Sequence, residues 1–189
     1  MEILDIVDEN GLPTGQTVER TLAHAQGIRH RTAHVWLLRR RNGKVQVLLQ
    51  KRSENKDSFP GCYDISSAGH IPAGVDFAES ALRELREELG VTLEPSALML
   101  CGNRLSRKDD VFHGQPFHDD QYSRVFAAWY DAEEADFALQ KEEVSAVRWM
   151  DLAECMEKVA THAMPHCIRP EELTMIKNAM TAQDREERK

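Results

Sequence analysis

Between Asp76 and Gly90 the chain carries a complete short helix, with start signal, apolar stripe and stop signal all in place. Asp76 followed by Glu79 is a capping-box arrangement, in which the aspartate accepts from an early backbone N–H and the glutamate reaches back. Gly90 sits where a left-handed C-terminal residue is wanted, and Val91 is expected to begin an extended run. These boundaries predict roughly three turns. Ala78, Leu82, Leu85 and Leu89 recur at helical spacing and predict the packed side. Glu84, Glu87 and Glu88 stand at i, i+3 and i+4 in the second half of the helix, so their carboxylates converge on one patch, expected opposite the apolar stripe. Like charges that close repel one another, and a divalent cation relieves the repulsion. A merely solvated Glu/Arg face is the plain alternative. The lead-in Gly69-His70-Ile71-Pro72-Ala73-Gly74 and the terminating Gly90 argue against it.

The rest of the chain reads as alternating strands and helices without repeats. Ile3 to Asp8 reads as a strand, Glu9-Asn10-Gly11 as a turn, and Thr17 to Ala25 as a helical turn or two. His34 to Arg39 and Val45 to Gln50 form a predicted hairpin around Arg41-Asn42-Gly43-Lys44. Phe59-Pro60-Gly61 breaks the chain before a strand from Tyr63 to Ser67 that delivers the Gly69 loop. After the helix, Leu98 to Leu105 and Tyr122 to Tyr130 are predicted strands joined by a polar loop, and Val144 to Met150 is a short final strand. Asp151 to Val159 and Pro170 to Met180 are predicted helices, and the charged end from Asp184 to Lys189 is expected to fray. The pattern predicts an α/β fold, a mixed sheet sandwiched by helices.

At 189 residues the chain is within the range of one domain with a full core. A net charge of −8 argues against a nucleic-acid polymer as partner. No apolar run approaches membrane-spanning length, and the acidic start Met1-Glu2-Ile3-Leu4-Asp5 lacks the regions of a signal peptide. Cys62, Cys101, Cys155 and Cys167 show neither CxxC pairing nor disulfide density, so the expected setting is cytoplasmic, with free thiols. A monomer and a homodimer are both compatible with the apolar strand faces.

Gly69, Arg83, Glu84, Leu85, Glu87, Glu88, Gly90 and Val91 resemble the Nudix box, in which a Gly, a Glu and an Arg-Glu-apolar-any-Glu-Glu-any-Gly-apolar run recur at fixed spacing. One position departs: the first Glu of the box, which in the family generally supports loop and helix, falls on Val75, with Asp76 beside it. The resemblance implies a Nudix-like α/β/α sandwich, here residues 1–189 with an N-terminal extension (1–33), the box (69–91) and C-terminal helices (151–183). It also implies hydrolysis of a diphosphate linked to a further group, such as a nucleoside diphosphate derivative or a similar small diphosphate. Cations held by carboxylates would neutralise phosphate oxygens and lower the pKa of a bound water. By this resemblance Glu84, Glu87 and Glu88 ligate Mg²⁺ or Mn²⁺, one of them or a later Glu acts as general base, and Arg83 holds a Glu or contacts the diphosphate. Glu143, just before the last predicted strand, is the candidate late Glu; ordinary turn solvation is its plain alternative.

From Ile3 to about Leu152 the chain also resembles type I isopentenyl-diphosphate isomerase. Asp8 to Gly15, Ala23-His24, Arg29-His30, Gln50-Lys51-Arg52, Phe59-Pro60-Gly61 and Gly69-His70 match in order. The isomerase's metal-binding histidines fall on His24, His30 and His70, and its glutamates on Asp119 and Gln121. Arg52 and Lys56 match positions that grip the diphosphate. The catalytic cysteine expected before Gly-His is Ala68, whereas all three box glutamates are present. Hydrolysis is therefore the favoured expectation; an isomerase of isopentenyl diphosphate and a non-catalytic diphosphate-binding module are the alternatives. His70 is a candidate metal ligand, although a lone His is more often structural. His162 and His166, separated by Pro165, read as surface-loop residues. Phe112, Phe117 and Tyr122 are candidates to line the cleft.

Overall fold

The computed structural model describes residues 1–56, 58–112 and 114–186. In chain order its elements are β1 (Ile3–Val7), β2 (Pro13–Glu19), α1 (Arg20–Gln26), β3 (His30–Arg41), β4 (Lys44–Arg52), β5 (Tyr63–Asp64), β6 (Ser67–His70), α2 (Phe77–Leu89), β7 (Met99–Phe112), β8 (Gln115–Trp129), β9 (Val144–Asp151), α3 (Leu152–Ala160) and α4 (Pro170–Glu186). Strands β1 and β2 pair with each other. The main sheet runs β5-β4-β3-β8-β7, with β6 added to β3 and β9 to β4. Strands β3 and β8 pair in parallel and the other named strand pairs are antiparallel, which makes the sheet mixed.

Strand β3 shows why the sheet is covered on both faces. Its residues Val35, Trp36, Leu37 and Leu38 are all buried, and successive side chains point to opposite sides. Val35 and Leu37 join Leu48, Phe126 and Trp149 in the core beneath α2, with Ala81, Leu85 and Leu89. Trp36 and Leu38 join Val47, Val125 and Ala127 beneath α3 and α4, with Cys155, Val159, Leu173 and Ile176. The result is the expected α/β/α sandwich. Helix α4 is fixed through the buried Glu172, whose carboxylate accepts from His34 Nδ1 at 2.8 Å, Trp36 Nε1 at 3.1 Å and Arg104 Nε at 3.1 Å. Burial alone would raise its pKa, but the attraction of His34 and Arg104 and the bonds it accepts hold it down to about 2.

Several elements differ from the sequence expectation. Thr17, Val18 and Glu19 are strand, paired with Asp5, Leu4 and Ile3, and the helix begins only at Arg20. The β-branched Thr17 and Val18 suit a ladder better than a helix. The polar stretch between Leu105 and Tyr122 is strand over 106–112 and 115–121, where a loop was expected. It is the far half of a long β7–β8 ribbon, in register to Phe112 opposite Gln115. Its polarity hid it, for this part of β7 has no buried residue on either side. Val91 is buried against α2's core rather than opening a strand. Helix α4 continues through Asp184 to Glu186, and residues 187–189 of the stretch expected to fray lie outside the described residues.

The stretch from Tyr63 to Ser67 is divided, because β3 and β4 pair only near their shared turn and then splay apart. Ser66 bridges the gap, accepting from Leu37 N at 2.8 Å and donating to Leu48 O at 2.7 Å. Tyr63 and Asp64 stay with β4, while Ser67 to His70 cross to β3, so Gly69 and His70 are strand and not loop. The opening between β4 and β6 is where the candidate site forms.

Candidate active site

Helix α2 has the ends its sequence called for. Asp76 accepts from Ala78 N at 2.8 Å, and Gly90 closes the helix at φ 71°. No bond from Glu79 back to Asp76 is present among the described residues, so only half of the expected capping box forms. The packed face is Phe77, Ala81, Leu85 and Leu89, and Glu88 lies among them rather than opposite, only 7% exposed. Two turns of 3.6 residues carry position 81 onto position 88, which places Glu88 over the centre of the buried face. The three carboxylates therefore run from the interior at Glu88, through the half-buried Glu84, to the exposed Glu87.

Strand β6 receives the two inner carboxylates. Its alternate residues Ser67 and Gly69 face α2: Ser67 Oγ donates to Glu88 Oε2 at 2.8 Å, and a Cβ placed on Gly69 would lie 2.3 Å from Glu84 Cδ. Arg83 Nη2 donates to Glu84 Oε1 at 2.6 Å and reaches the His70 carbonyl at 3.4 Å. Burial raises the pKa of Glu84, with Glu87 and Glu2 adding to the effect against Arg83. Burial likewise pushes Glu88 up to about 8, reinforced by Glu84 and Glu143 and opposed by the Ser67 bond.

The loop from Ile71 to Val75, which feeds α2, is gripped from outside. Asp5 Oδ2 on β1 accepts from Gly74 N at 2.8 Å and from Arg31 Nη2 at 2.7 Å, and the same Nη2 reaches Val75 O at 3.1 Å. Nothing in the spacing of the sequence pointed to Asp5 or Arg31. Ser67 was more accessible, since it lies two residues before Gly69 on a strand.

A cavity of about 210 Å³ opens where these parts meet, lined by Glu84, Glu87, Glu88, Glu143, Lys56 and Arg52 among others, including Gln50, Arg20 and His70. Lys56 Nζ is ion-paired with Glu143, so these two expected site residues meet each other at its wall. Arg52 faces the same cavity, but its guanidinium already donates to Ser58 O, through Nε at 3.1 Å and Nη2 at 2.9 Å, and to Asp64 Oδ2 at 3.2 Å. Arg52 thus also holds the chain that follows β4.

His70 points away from α2. It meets His24 and His30, with ring centroids 5.0 to 5.1 Å apart and a potential ligand atom of each within 4.8 Å of the others. His30 Nδ1 contacts Ile28 O at 2.8 Å, which leaves Nε2 buried without a hydrogen-bond partner among the described residues. Asp119 Oδ1 is equally unpartnered by hydrogen bonds and lies 3.6 Å from His24 Nε2. Burial pushes His30 below its usual range and His70 well below it, which favours the neutral, ligating form of each. Phe117 stacks on His24 at 4.6 Å and Phe112 meets Phe117 edge to face at 5.3 Å, extending an aromatic wall from this cluster. Tyr122 instead packs under Gly11 and Phe77, away from that wall.

Comparison with known proteins bears on this arrangement. A family model for the NUDIX domain matches residues 28–169. Nudix hydrolase 3 of Arabidopsis thaliana is 39% identical over 156 residues, covering 81% of this chain, which spans only 20% of that protein's length. A Salmonella typhi protein named uncharacterized Nudix hydrolase YfcD is 32% identical over 179 residues, covering 94% of this chain and 87% of its own. Among solved structures, DR0079 from Deinococcus radiodurans superposes with a TM-score of 0.66 at 20% identity, covering 93% of this chain and 98% of that one. At that identity the likeness is one of fold.

Proposed function

The chain belongs to the NUDIX domain family, and from that premise we propose that it is a divalent-cation-dependent hydrolase of a nucleoside diphosphate derivative or a similar small diphosphate. The observation that carries this reading is the gathering of Glu84, Glu87, Glu88 and Glu143 around one cavity that also holds Lys56. The donor set suits a hard cation: all its ligating atoms are carboxylate oxygens, and two of the groups, Glu84 and Glu88, are pushed toward protonation by burial and by neighbouring carboxylates. We take Mg²⁺ or Mn²⁺ as the cation and Glu84, Glu87 and Glu88 as its holders. Bound there, it would neutralise phosphate oxygens and acidify a water.

The protein's own groups supply position and charge. Arg83 fixes Glu84 and Ser67 fixes Glu88, so two carboxylates are held before any ligand arrives. The side chain of Glu87, exposed and without a hydrogen bond among the described residues, is free to face an incoming ligand. Lys56 would turn from Glu143 to a phosphate oxygen, which releases the Glu143 carboxylate to take a proton from the attacking water. Arg52 would add charge beside the diphosphate while keeping its loop in place. We read residues 1–189 as one Nudix domain: an extension to about residue 33, the box at 69–91 and helices in 151–183.

The convergence of His24, His30 and His70 favours a second reading, kinship with the isopentenyl-diphosphate isomerase framework. His70 would then serve a cation site apart from α2, with Asp119 as its carboxylate. Ala68 offers no group to move a proton to carbon, and hydrolysis remains the preferred chemistry. Product analysis with Mg²⁺ or Mn²⁺ over a panel of diphosphates separates the readings. Hydrolysis releases a monophosphate and fails in Glu87→Gln and Glu88→Gln; an allylic isomer without phosphate release marks the isomerase. Tight binding without turnover would mark a binding module, and undiminished turnover in both variants would remove the carboxylates from the mechanism.

A further inference from the structure

We propose that Asp5, acting through Arg31, is the positioning carboxylate of the catalytic helix, holding from β1 the loop that Val75 cannot hold from within. This rests on the reading of α2 as the carrier of the metal-binding carboxylates. The 71–75 loop sets where α2 begins, and a shift there moves Glu84, Glu87 and Glu88 together. Asp5 takes its Gly74 N–H, while Arg31 takes the Val75 carbonyl and ties it to the same Asp5 oxygen. The Arg31 guanidinium also lies 5.2 Å from the ring centroid of Phe77, the first residue of α2. Both partners are buried, Asp5 at 9% and Arg31 at 7% exposure, so the contact is shielded from water and from salt.

A second observation makes the compensation specific. Arg31 Nε is buried and has no hydrogen-bond partner among the described residues. An arginine fork can serve two acceptor groups, and here one carboxylate and one carbonyl share a single nitrogen. Val75, whose carbonyl this guanidinium holds, packs its own side chain on the apolar core. A carboxylate at position 75 would stand within reach of the guanidinium already bonded to its own carbonyl. Asp5 supplies that charge from a segment 70 positions earlier in the chain.

The test uses Asp5→Ala, Asp5→Asn and the double variant Asp5→Ala/Val75→Glu in the full chain. Mn²⁺-dependent turnover and hydrogen–deuterium exchange of residues 71–78 are both measured. Asp5→Ala is expected to lower kcat about 100-fold with KM changed less than about threefold, because the helix is misplaced rather than the substrate released. Asp5→Asn, which keeps an acceptor for Gly74 but loses the charge facing Arg31, should fall between. The double variant should regain most of the lost kcat and slow the exchange of the loop toward wild type. Unchanged kinetics and exchange in Asp5→Ala, or a loss that Val75→Glu does not reverse, would overturn the proposal. If wild type itself fails to turn over, the hydrolase reading fails, and the exchange of the loop still decides the role of Asp5.

Discussion

Gly69 and Glu84 are so closely apposed that a side chain at one excludes the present position of the other. A Cβ on residue 69 would come within 2.3 Å of Glu84 Cδ and 2.5 Å of Oε1. The clashing atoms lie near the end of a flexible side chain, so Gly69→Ala should still fold, losing about 1 to 3 kcal/mol in urea denaturation. The displaced carboxylate is another matter. Turnover should drop about 100-fold, since misplacing a positioned group by an ångström has that effect. Wild-type turnover in Gly69→Ala would show that the position of Glu84 is not critical.

Glu88 gives the protein without cations a pH signature. Its folded pKa stands at about 8 against an ordinary 4.5. Below 4.5 both folded and unfolded states are protonated and the contribution is whole. Between 4.5 and 8 the unfolded chain gives up the proton that the folded protein keeps, so stability falls as pH rises, by at most about 1.4 kcal/mol per pH unit. Glu88→Gln should flatten that decline while abolishing turnover. Urea midpoints in the presence of chelator, taken across this range, check the point, and a variant as pH-sensitive as wild type would refute it.

The opposite sign holds for Glu172. Its folded pKa is depressed to about 2, so its contribution is present above 4.5 and is lost as pH falls toward 2. Glu172→Ala strands His34 and Arg104 beneath α4 and should destabilise the protein by about 3 to 5 kcal/mol near neutrality. The difference between variant and wild type should shrink on acidification. Denaturation curves at several acid pH values would show whether it does.

The histidine cluster can be probed by metal content alone. His30→Ala removes the nitrogen that is buried without a hydrogen-bond partner and should abolish retention of one equivalent of Mn²⁺ or Zn²⁺ per chain after dialysis. Glu87→Gln, at the other site, should leave that equivalent in place. Equal retention by wild type and His30→Ala would mean that the histidines are structural.

Part of this architecture was open to inspection in the sequence. The caps of α2, the Asn42-Gly43 hairpin turn, with both residues at positive φ, and the both-face burial of β3 depend on neighbours a few positions away. Local periodicity reports such features directly. The ribbon of β7 and β8 escaped because an exposed, charged strand has the composition of a loop. Tyr63 to His70 escaped division because the splay of β3 from β4 has no local sign.

By itself the sequence determined the α/β layering, the capped helix and the i, i+3, i+4 spacing of Glu84, Glu87 and Glu88, since each follows from backbone geometry within a turn or a strand. Tertiary structure alone decided that Glu88 is interior, that Lys56 meets Glu143 and that His24, His30 and His70 converge. It alone brought Asp5 to Arg31 and the loop before α2. Apart from the neighbouring His24 and His30, those contacts join residues 26 to 87 positions apart, or in the case of Glu88 depend on which face of the helix the sheet covers. Strand register and layer packing set such distances, and no short-range pattern encodes them.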